Sequence, residues 1–257
     1  MGILQLFKDL LKNDIKNRYT GSILGLAWSI IHPLSSLLIY YFVFSVILKM
    51  KIGNEYADVS FTFWLMAGIL PWFLFSEALS RSTNIVLDNS SIIKKMVFPA
   101  QILPFVMFSS ALINHLITVI LFIIGLYTFN PSAVNMNLLL FPVYLVPLFL
   151  LTTGLSMITA SLNVFLRDIG QFIGILINVW FYMTPIIYPI SAVPEEFREV
   201  LVWNPMYSII EGYRMLFFKA ELVDINSLLY TSLISVILFA LGYALFSKLK
   251  KSFADVL

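Results

Sequence analysis

Residues 102–129 read ILPFVMFSSALINHLITVILFIIGLYTF, a run of 28 residues that contains no Lys, Arg, Asp or Glu. A helix needs about 20 apolar residues to cross roughly 30 Å of hydrocarbon, so this run is long enough to span a bilayer with tilt. The whole chain has the same character, because 60% of its 257 residues are hydrophobic and only 12% are charged. Soluble domains carry about 25% charged residues, which excludes a disordered chain, a basic nucleic-acid-binding module and an ordinary soluble enzyme. The composition indicates an integral membrane protein.

Six segments have the length and apolar character of membrane-spanning helices. Several contain proline, which removes a backbone donor and kinks a helix, as suits helices that line a cavity. The alternation typical of a transmembrane β-strand is missing, so we expect an all-α membrane fold in one domain, residues 1–257. The predicted spans are residues 30–48, 61–79, 102–129, 138–162, 169–190 and 228–247.

The basic residues predict how the chain is inserted. With the N-terminus in the cytoplasm, eleven of the 16 Lys and Arg residues fall on the cytoplasmic side. Cytoplasmic loops carry an excess of these residues, so we expect both termini in the cytoplasm.

Three segments outside the spans have amphipathic character. Residues 1–20 carry apolar side chains at helical spacing, which predicts a helix lying in the headgroup plane or packed on the rest of the protein. Residues 81–101 form a cytoplasmic loop long enough for a short helix. Residues 191–227 are too charged to span the membrane and too apolar for a free loop. We therefore expect two short helices that re-enter the membrane from its external side.

The motifs of common enzymes are missing from this chain. It has no Walker A sequence, no GxGxxG and no HExxH, and a membrane-embedded transferase would need clustered carboxylates that we do not find. His115 in the third span fits a proton relay or, as we favour, an imidazole bonded to a neighbouring helix. No acidic residue lies in the middle of a span, which disfavours a proton- or sodium-coupled transporter. Chemical energy is therefore expected from another subunit.

A series of short motifs resembles the type-2 ABC exporter permeases, and within them the exporters of O-antigen, teichoic acid and capsule chains. The first is RYTGSILGLAW at residues 18–28, and the others follow in the family's order across nearly the whole chain. They are Pro33, Gly68 with Pro71-Trp72, Ile93-Lys94-Lys95 with Phe98-Pro99 and Pro104, Arg167-Asp168, Pro185 with Tyr188-Pro189, and Asn204-Pro205 with Arg214.

This resemblance implies a non-enzymatic permease of the bacterial cytoplasmic (inner) membrane. It implies a homodimer that binds two copies of a separate ATPase subunit, where ATP and Mg are bound, and a lipid-linked glycan as substrate, with no nucleic acid involved. A channel at the dimer interface is expected to use aromatic side chains, because sugar rings stack on them. An exporter of lipids or drugs, and a channel that works without an ATPase, remain alternatives.

The resemblance also assigns roles to individual residues of this sequence. The expected channel aromatics are Tyr40, Tyr41, Phe44, Trp180, Phe181 and Tyr188. The cations expected to meet a lipid pyrophosphate are Arg18 and Arg167. The residues expected to couple to the ATPase are Asn84, Asp88, Ile93, Lys94, Lys95 and Met96. The residues expected at the external gate are Trp203, Asn204, Pro205 and Arg214.

Overall fold

The structure, a computed structural model, describes residues 2–18, 21–22, 24–49, 52, 56, 59–95, 98–129, 136–219 and 221–257, with the side chains of residues 26 and 95 outside that description. Every regular element in these ranges is helical, which confirms the all-α prediction. The α-helices are α1 (Ile3–Arg18), α2 (Trp28–Tyr40), α3 (Phe61–Asp88), α4 (Ser90–Lys95), α5 (Ile102–Phe129), α6 (Pro142–Asn163), α7 (Asp168–Met183), α8 (Glu195–Val202), α9 (Pro205–Phe218), α10 (Ile225–Leu249) and α11 (Phe253–Val256). A π-helix, Tyr41–Ile47, extends α2, and a 3-10 turn, Met136–Leu140, precedes α6.

Five helical segments in the described ranges are long and apolar enough to cross a membrane. They are Trp28–Ile47, Phe61–Asp88, Ile102–Phe129, Met136–Asn163 and Ile225–Val256. Five of the six predicted spans overlap these segments, and the third has the same bounds as α5. The remaining predicted span, residues 169–190, corresponds to α7, which has 16 residues and a length of roughly 24 Å. Because that is short of the hydrocarbon thickness, a sixth crossing stays a prediction.

Helix α3 is the centre of the bundle. It packs against α5, α6, α7 and α9, and its buried side chains run over nearly its whole length. Trp64, Leu65 and Phe75 are each almost fully enclosed. Helices that are apolar around most of their circumference are typically buried, and α3 is enclosed by other helices in this way.

The cytoplasmic loop expected at residues 81–101 begins later than its sequence indicates. Helix α3 continues to Asp88, because the face formed by Thr83, Ile85 and Val86 is buried and prolongs the apolar contact. With 28 residues, α3 is roughly 42 Å long, about 12 Å more than the hydrocarbon thickness. Its last eight residues, 81–88, belong to the loop predicted from the sequence and are named the α3 projection. The short helix α4 follows at once, as the sequence predicts for this region.

The segment between α7 and α10 contains the two short helices that its sequence predicts. The first, α8, has no buried residue, and Phe197 and Val200 are exposed. The second, α9, is buried on most of its surface and packs against α3. The two helices differ sharply in burial, while their depth in a membrane stays a prediction.

A second apolar cluster lies at the end of the bundle where α3 projects. It contains Ile85 and Val86 of α3 together with Phe246 of α10 and Phe253 of α11. Helix α1 has no buried residue, but the apolar stripe predicted from its sequence packs partly on this cluster through Phe7, Leu10 and Leu11. Ile3 and Leu4 are exposed. The helix is therefore held by the bundle and keeps an exposed apolar first turn, while its position in the headgroup plane stays a prediction.

Candidate transport cavity

A cavity of about 640 Å³ lies between α2, α3, α5 and α7. Its volume falls within the range of roughly 300–1,000 Å³ typical of ligand sites. One part of the wall is polar, although the helices that form it are among the most apolar in the chain. The polar residues there are Ser29, His32, Ser36 and Tyr40 of α2, Asn114, His115 and Thr118 of α5, and Asn178 of α7.

The helical period explains why these polar side chains converge. On α2 the polar positions recur every three or four residues, so they share one face, and the same holds on α5. A polar group facing hydrocarbon is costly, so polar faces of membrane helices turn towards one another or towards water. Helix α3 contributes an apolar wall along one stretch and polar residues further along the helix. The apolar residues are Met66, Ile69, Leu70, Phe73 and Leu74, and the polar ones are Ser76, Glu77 and Ser80. The cavity is therefore amphipathic.

Charged residues close one end of this cavity. Arg18 of α1 and Glu77 of α3 both line it and form an ion pair of 2.6 Å. Arg18 also donates to the Ser110 hydroxyl at 3.0 Å, and that hydroxyl donates to Asp14 at 2.5 Å. Arg81 binds Asp14 at 2.5 Å. Two guanidinium groups and two carboxylates thus form a balanced cluster that joins α1 to α3 and α5.

Of the six predicted channel aromatics, Tyr40 is the one that lines the cavity. Trp180 packs edge-on against Phe75 with 5.1 Å between ring centroids, and Phe181 contacts Trp72 at 5.6 Å. Both rings of α7 therefore turn towards α3 within the same chain.

The other predicted channel aromatics lie outside the cavity lining. The ring of Tyr41 is 6.0 Å from that of Phe129, and Phe44 is 5.4 Å from Phe61. The Tyr188 hydroxyl donates to the Tyr182 carbonyl at 2.8 Å, and this bond closes the turn after α7.

The two predicted pyrophosphate-binding cations are placed apart. Arg18 lines the cavity but is already paired with Glu77. Arg167 is exposed immediately before α7 and is not among the lining residues.

The residues expected to couple to the ATPase lie on the α3 projection and on α4. The side-chain oxygen of Asn84 accepts a hydrogen bond of 2.9 Å from Asn163, and Asp88 is the exposed last residue of α3. On α4, Ile93 packs on the second apolar cluster while Lys94 is exposed. The side chain of Lys95 and all of Met96 lie outside the described residues.

Of the residues expected at the gate, Trp203, Asn204 and Pro205 lie at the start of α9. The Asn204 side-chain oxygen accepts from the Met206 backbone, which caps the helix, and from the Trp180 indole, both at 3.0 Å. Its amide donates to Thr184 at 2.8 Å. Pro205 occupies the first helical position, where its missing N–H costs nothing.

Trp203 and Arg214, which are also expected at the gate, have opposite surroundings. Trp203 is exposed and stacks edge-on with Tyr230 at 4.8 Å. Arg214 is 1% exposed and lies deep between α9 and α3, where it pairs with Glu211 at 3.2 Å. Arg214 is therefore an internal anchor of the hairpin and not a surface residue.

Sequence reasoning did not find most of the polar cavity wall. Taken one at a time, the missed residues do not stand out in the sequence. What identifies them is their helical spacing inside apolar runs, and they are Ser29, His32, Ser36, Thr118 and Asn178. The hydrogen bond expected for His115 is confirmed, because its Nε2 lies 3.1 Å from the Tyr213 hydroxyl on α9. Among the described residues, no group of three His, Asp or Glu side chains is arranged to hold a metal ion.

In the part of the chain that the structure describes, five membrane-length helical segments form a bundle that encloses an amphipathic cavity, which is typical of a polytopic membrane transport protein. The family model described as ABC-2 type transporter matches residues 5–218, and the chain belongs to this family, as its motifs indicate. It is therefore a membrane permease of the ABC exporter type.

Curated relatives match over nearly the full length of the chain. An O-antigen export system permease protein RfbA from Klebsiella pneumoniae is 31% identical over 256 residues, covering 99% of this chain and 96% of the relative. A protein of the same name from Myxococcus xanthus is 30% identical over 254 residues, with 97% and 94% covered. The polysialic acid transport protein KpsM from Escherichia coli is 23% identical over 241 residues, with 92% and 90% covered.

Proposed function

We propose that this chain exports a lipid-linked polysaccharide of the O-antigen type across the bacterial cytoplasmic membrane, driven by a separate ATPase subunit. The observation that carries the proposal is the amphipathic cavity between α2, α3, α5 and α7 in a chain whose relatives are named as O-antigen export permeases.

The cavity suits the chemistry of a sugar chain. A pyranose ring presents apolar C–H faces and a rim of hydroxyls. The C–H faces match the wall formed by Leu70 and Phe73, while Ser36, Tyr40 and Asn178 offer hydrogen-bonding groups. Serine, tyrosine and asparagine side chains both donate and accept, so they suit hydroxyls in many orientations, as a moving polymer requires.

The ATPase is proposed to dock on the α3 projection and α4. This contact would be formed by Asn84, Asp88, Ile93, Lys94, Lys95 and Met96. The ATPase partner would bind ATP and Mg. Two copies of the ATPase would serve two copies of this chain. Both termini then lie in the cytoplasm, as the distribution of basic residues favours.

A second copy of the chain is proposed to cover α2 and α7. Helix α2 has no buried residue, and α7 buries only Ile173 and Ile177. Both helices contribute to the cavity, so a partner copy against them would enclose the path of the glycan. The hairpin with Trp203, Asn204, Pro205 and Arg214 would close its outer end.

Arg18 is the better placed of the two cations to meet an anionic lipid head. It faces the cavity, and an incoming phosphate would compete with Glu77 for its guanidinium group. Arg167, being exposed, would meet the head before it reaches the cavity.

Co-purification and export together test this function. The tagged chain is purified from its native membranes in mild detergent, reconstituted with whatever nucleotide-binding subunit accompanies it, and assayed for ATP-dependent movement of lipid-linked glycan into vesicles. A stoichiometric ATPase with glycan export supports the proposal. Transport of lipids or drugs with no glycan moved would favour the first alternative, and glycan flux without ATP or any ATPase would establish a channel.

A further inference from the structure

One buried side chain joins three helices at the end of the bundle where α3 projects. Asn163 is the last residue of α6 and is fully enclosed. Its Nδ2 donates to the Thr83 carbonyl at 3.0 Å and to the Asn84 side-chain oxygen at 2.9 Å, both on α3. Its Oδ1 accepts from the Gly170 backbone N–H, in the first turn of α7, at 3.0 Å. Both ends of the amide are therefore used.

The contact around Gly170 leaves little room. A Cβ at this position would lie 3.2 Å from the Asn84 side-chain oxygen and 3.5 Å from that of Asn163. The start of α7 therefore approaches α3 closely, and the Asn163 amide fills the remaining space. Tightly packed polar contacts shift between discrete arrangements instead of deforming gradually.

Two of the three helices that meet at Asn163 lead to different functional regions of the molecule. Helix α3 runs on through Asn84 to Asp88 and into α4, the side proposed for the ATPase. Helix α7 continues from Gly170 to Gly174, Ile177 and Asn178, which line the cavity. Asn163 is thus the hydrogen-bonded connection between the ATPase-facing end of α3 and the helix that forms one side of the cavity.

We propose that Asn163 is a positioning residue that transmits displacement of α3 and α4 to α7, so that movement at the ATPase changes the shape of the cavity. This inference rests on the proposed function. It predicts that loss of the Asn163 bonds separates ATP hydrolysis from export, while folding and ATPase association persist.

The chain offers a matched control one turn earlier on α6. The Thr83 hydroxyl donates to the Thr159 hydroxyl at 3.1 Å, which ties α3 to α6 without touching α7. Thr159→Val removes that bond and keeps the shape of the side chain. If polar contacts between α3 and α6 only stabilised the fold, substitutions at Asn163 and at Thr159 would change export per ATP to the same extent.

The experiment measures glycan exported per ATP hydrolysed, with the permease and its ATPase in vesicles. Asn163→Asp keeps the acceptor for Gly170 but places a carboxylate oxygen against two oxygens of α3. The enclosed carboxylate lowers the thermal midpoint, because it meets two acceptors without a donor, so the assay is run well below that midpoint. In the folded complex we expect ATPase association to stay close to wild type and export per ATP to fall about tenfold, a typical scale for changes along a coupling network. Thr159→Val should keep the wild-type ratio.

Asn163→Ser provides a second, uncharged variant. Its shorter side chain removes the two bonds to α3 and also the acceptor for Gly170, and its export per ATP is the deciding measurement if the aspartate variant does not fold. A wild-type ratio in either folded variant overturns the role of Asn163, as does an equal loss in Thr159→Val. A wild-type complex that hydrolyses ATP without moving glycan gives a different pattern and overturns the proposed function itself.

Discussion

The guanidinium carbon of Arg214 lies 3.5 Å from the centroid of the Trp64 ring, inside the bundle. Its Nη1 donates to the Pro185 carbonyl at 3.0 Å, and its Nη2 donates to the Ile186 carbonyl at 2.8 Å. Glu211, one turn earlier on α9, balances the charge. A single cation therefore joins helix α9, the segment that follows α7, and α3.

Removal of this cation should weaken the fold strongly. Arg214→Ala leaves two buried carbonyls without their donor and removes the cation that pairs with Glu211, whose carboxylate keeps the Tyr56 hydroxyl as a donor. We therefore expect the free energy of unfolding to fall by about 3–5 kcal/mol. Stability is measured by denaturant titration of the purified protein in detergent, followed by tryptophan fluorescence.

The matched control is Arg198→Ala on the exposed helix α8. Arg198 has the same kinds of contact, an ion pair with Glu195 and bonds to the Val193 and Ser191 carbonyls, but it is open to solvent, so its loss should cost only about 1–2 kcal/mol. Equal losses in the two variants would contradict the role of Arg214 as an internal anchor.

Gly68 makes room for the same guanidinium group. A Cβ at this position would lie 2.6 Å from Arg214 Nη2, and the carbonyl bonds hold that end of the arginine in place. Gly68→Ala should therefore cost about 1–3 kcal/mol by overpacking. Gly125→Ala on α5, which meets no atom within 4 Å, should be neutral or stabilising.

The cost of Gly68→Ala should also depend on Arg214. In an Arg214→Ala background the added methyl has space, so the double-mutant cycle is expected to show a coupling of at least about 1 kcal/mol. Strictly additive losses would mean that the methyl group clashes elsewhere.

Tyr40 and Tyr41 are adjacent aromatic residues that the sequence marks equally as channel candidates. The structure separates them, because Tyr40 lines the cavity whereas Tyr41 packs on Phe129. We expect Tyr40→Ala to lower glycan export about tenfold, since it removes a stacking and hydrogen-bonding surface of roughly 1 kcal/mol or more. Tyr41→Ala should stay within about twofold, with ATPase association unchanged in both. The reverse order would place the glycan path on the other side of α2.

Much of this fold was predictable because a bilayer restricts the backbone conformations available to a spanning segment. An apolar run without charges has to form a helix in hydrocarbon, and the bounds of residues 102–129 follow from that fact alone. The end of α3 was not predictable in the same way. Its burial continues past Leu79, where the sequence becomes polar, because Thr83 and Ile85 find partners on other elements.

The lining of the candidate cavity was predictable only at residues whose charge or chemistry marks them individually. Arg18 and Tyr40 line the cavity, but Trp180 turns inward to Phe75 and Asn204. Helix α7 is apolar around most of its circumference, so its rotation depends on neighbours that the sequence does not name. The polar residues of α2, such as Ser36, are recognised as cavity residues once the structure shows that their shared face lines a cavity.

Helices α6 and α10 approach each other through two glycines. A Cβ at Gly242 would lie 2.2 Å from the Gly154 carbonyl oxygen, and one at Gly154 would lie 2.6 Å from the Phe239 backbone nitrogen. Small residues allow such close contact between membrane helices, and backbone atoms have no room to yield. Gly242→Ala should therefore lower the free energy of unfolding by about 3 kcal/mol. Gly174→Ala, where nothing lies within 4 Å, serves as the stability control, and a similar loss there would contradict the packing argument.

The charged cluster should determine how firmly α1 is held. Asp14 accepts from Arg81 and from the Ser110 hydroxyl, both at 2.5 Å, so Asp14→Asn weakens two charge-assisted bonds at once. Since the chain contains no cysteine, Leu11→Cys gives a labelling site without background on the face of α1 that packs on the bundle. We expect Asp14→Asn to raise the labelling rate about tenfold, corresponding to roughly 1.4 kcal/mol in the opening of α1.

Asp9→Asn is the matched control for this measurement. Asp9 lies on the same helix and interacts with the exposed side chain of Gln5, so its loss should leave the labelling rate within about twofold. If both variants label alike, the apolar stripe alone holds the helix. If Asp14→Asn alone opens it, then α1 is fastened through charges at the end of the cavity, and an anion that competes for Arg18 would also loosen the helix that carries it.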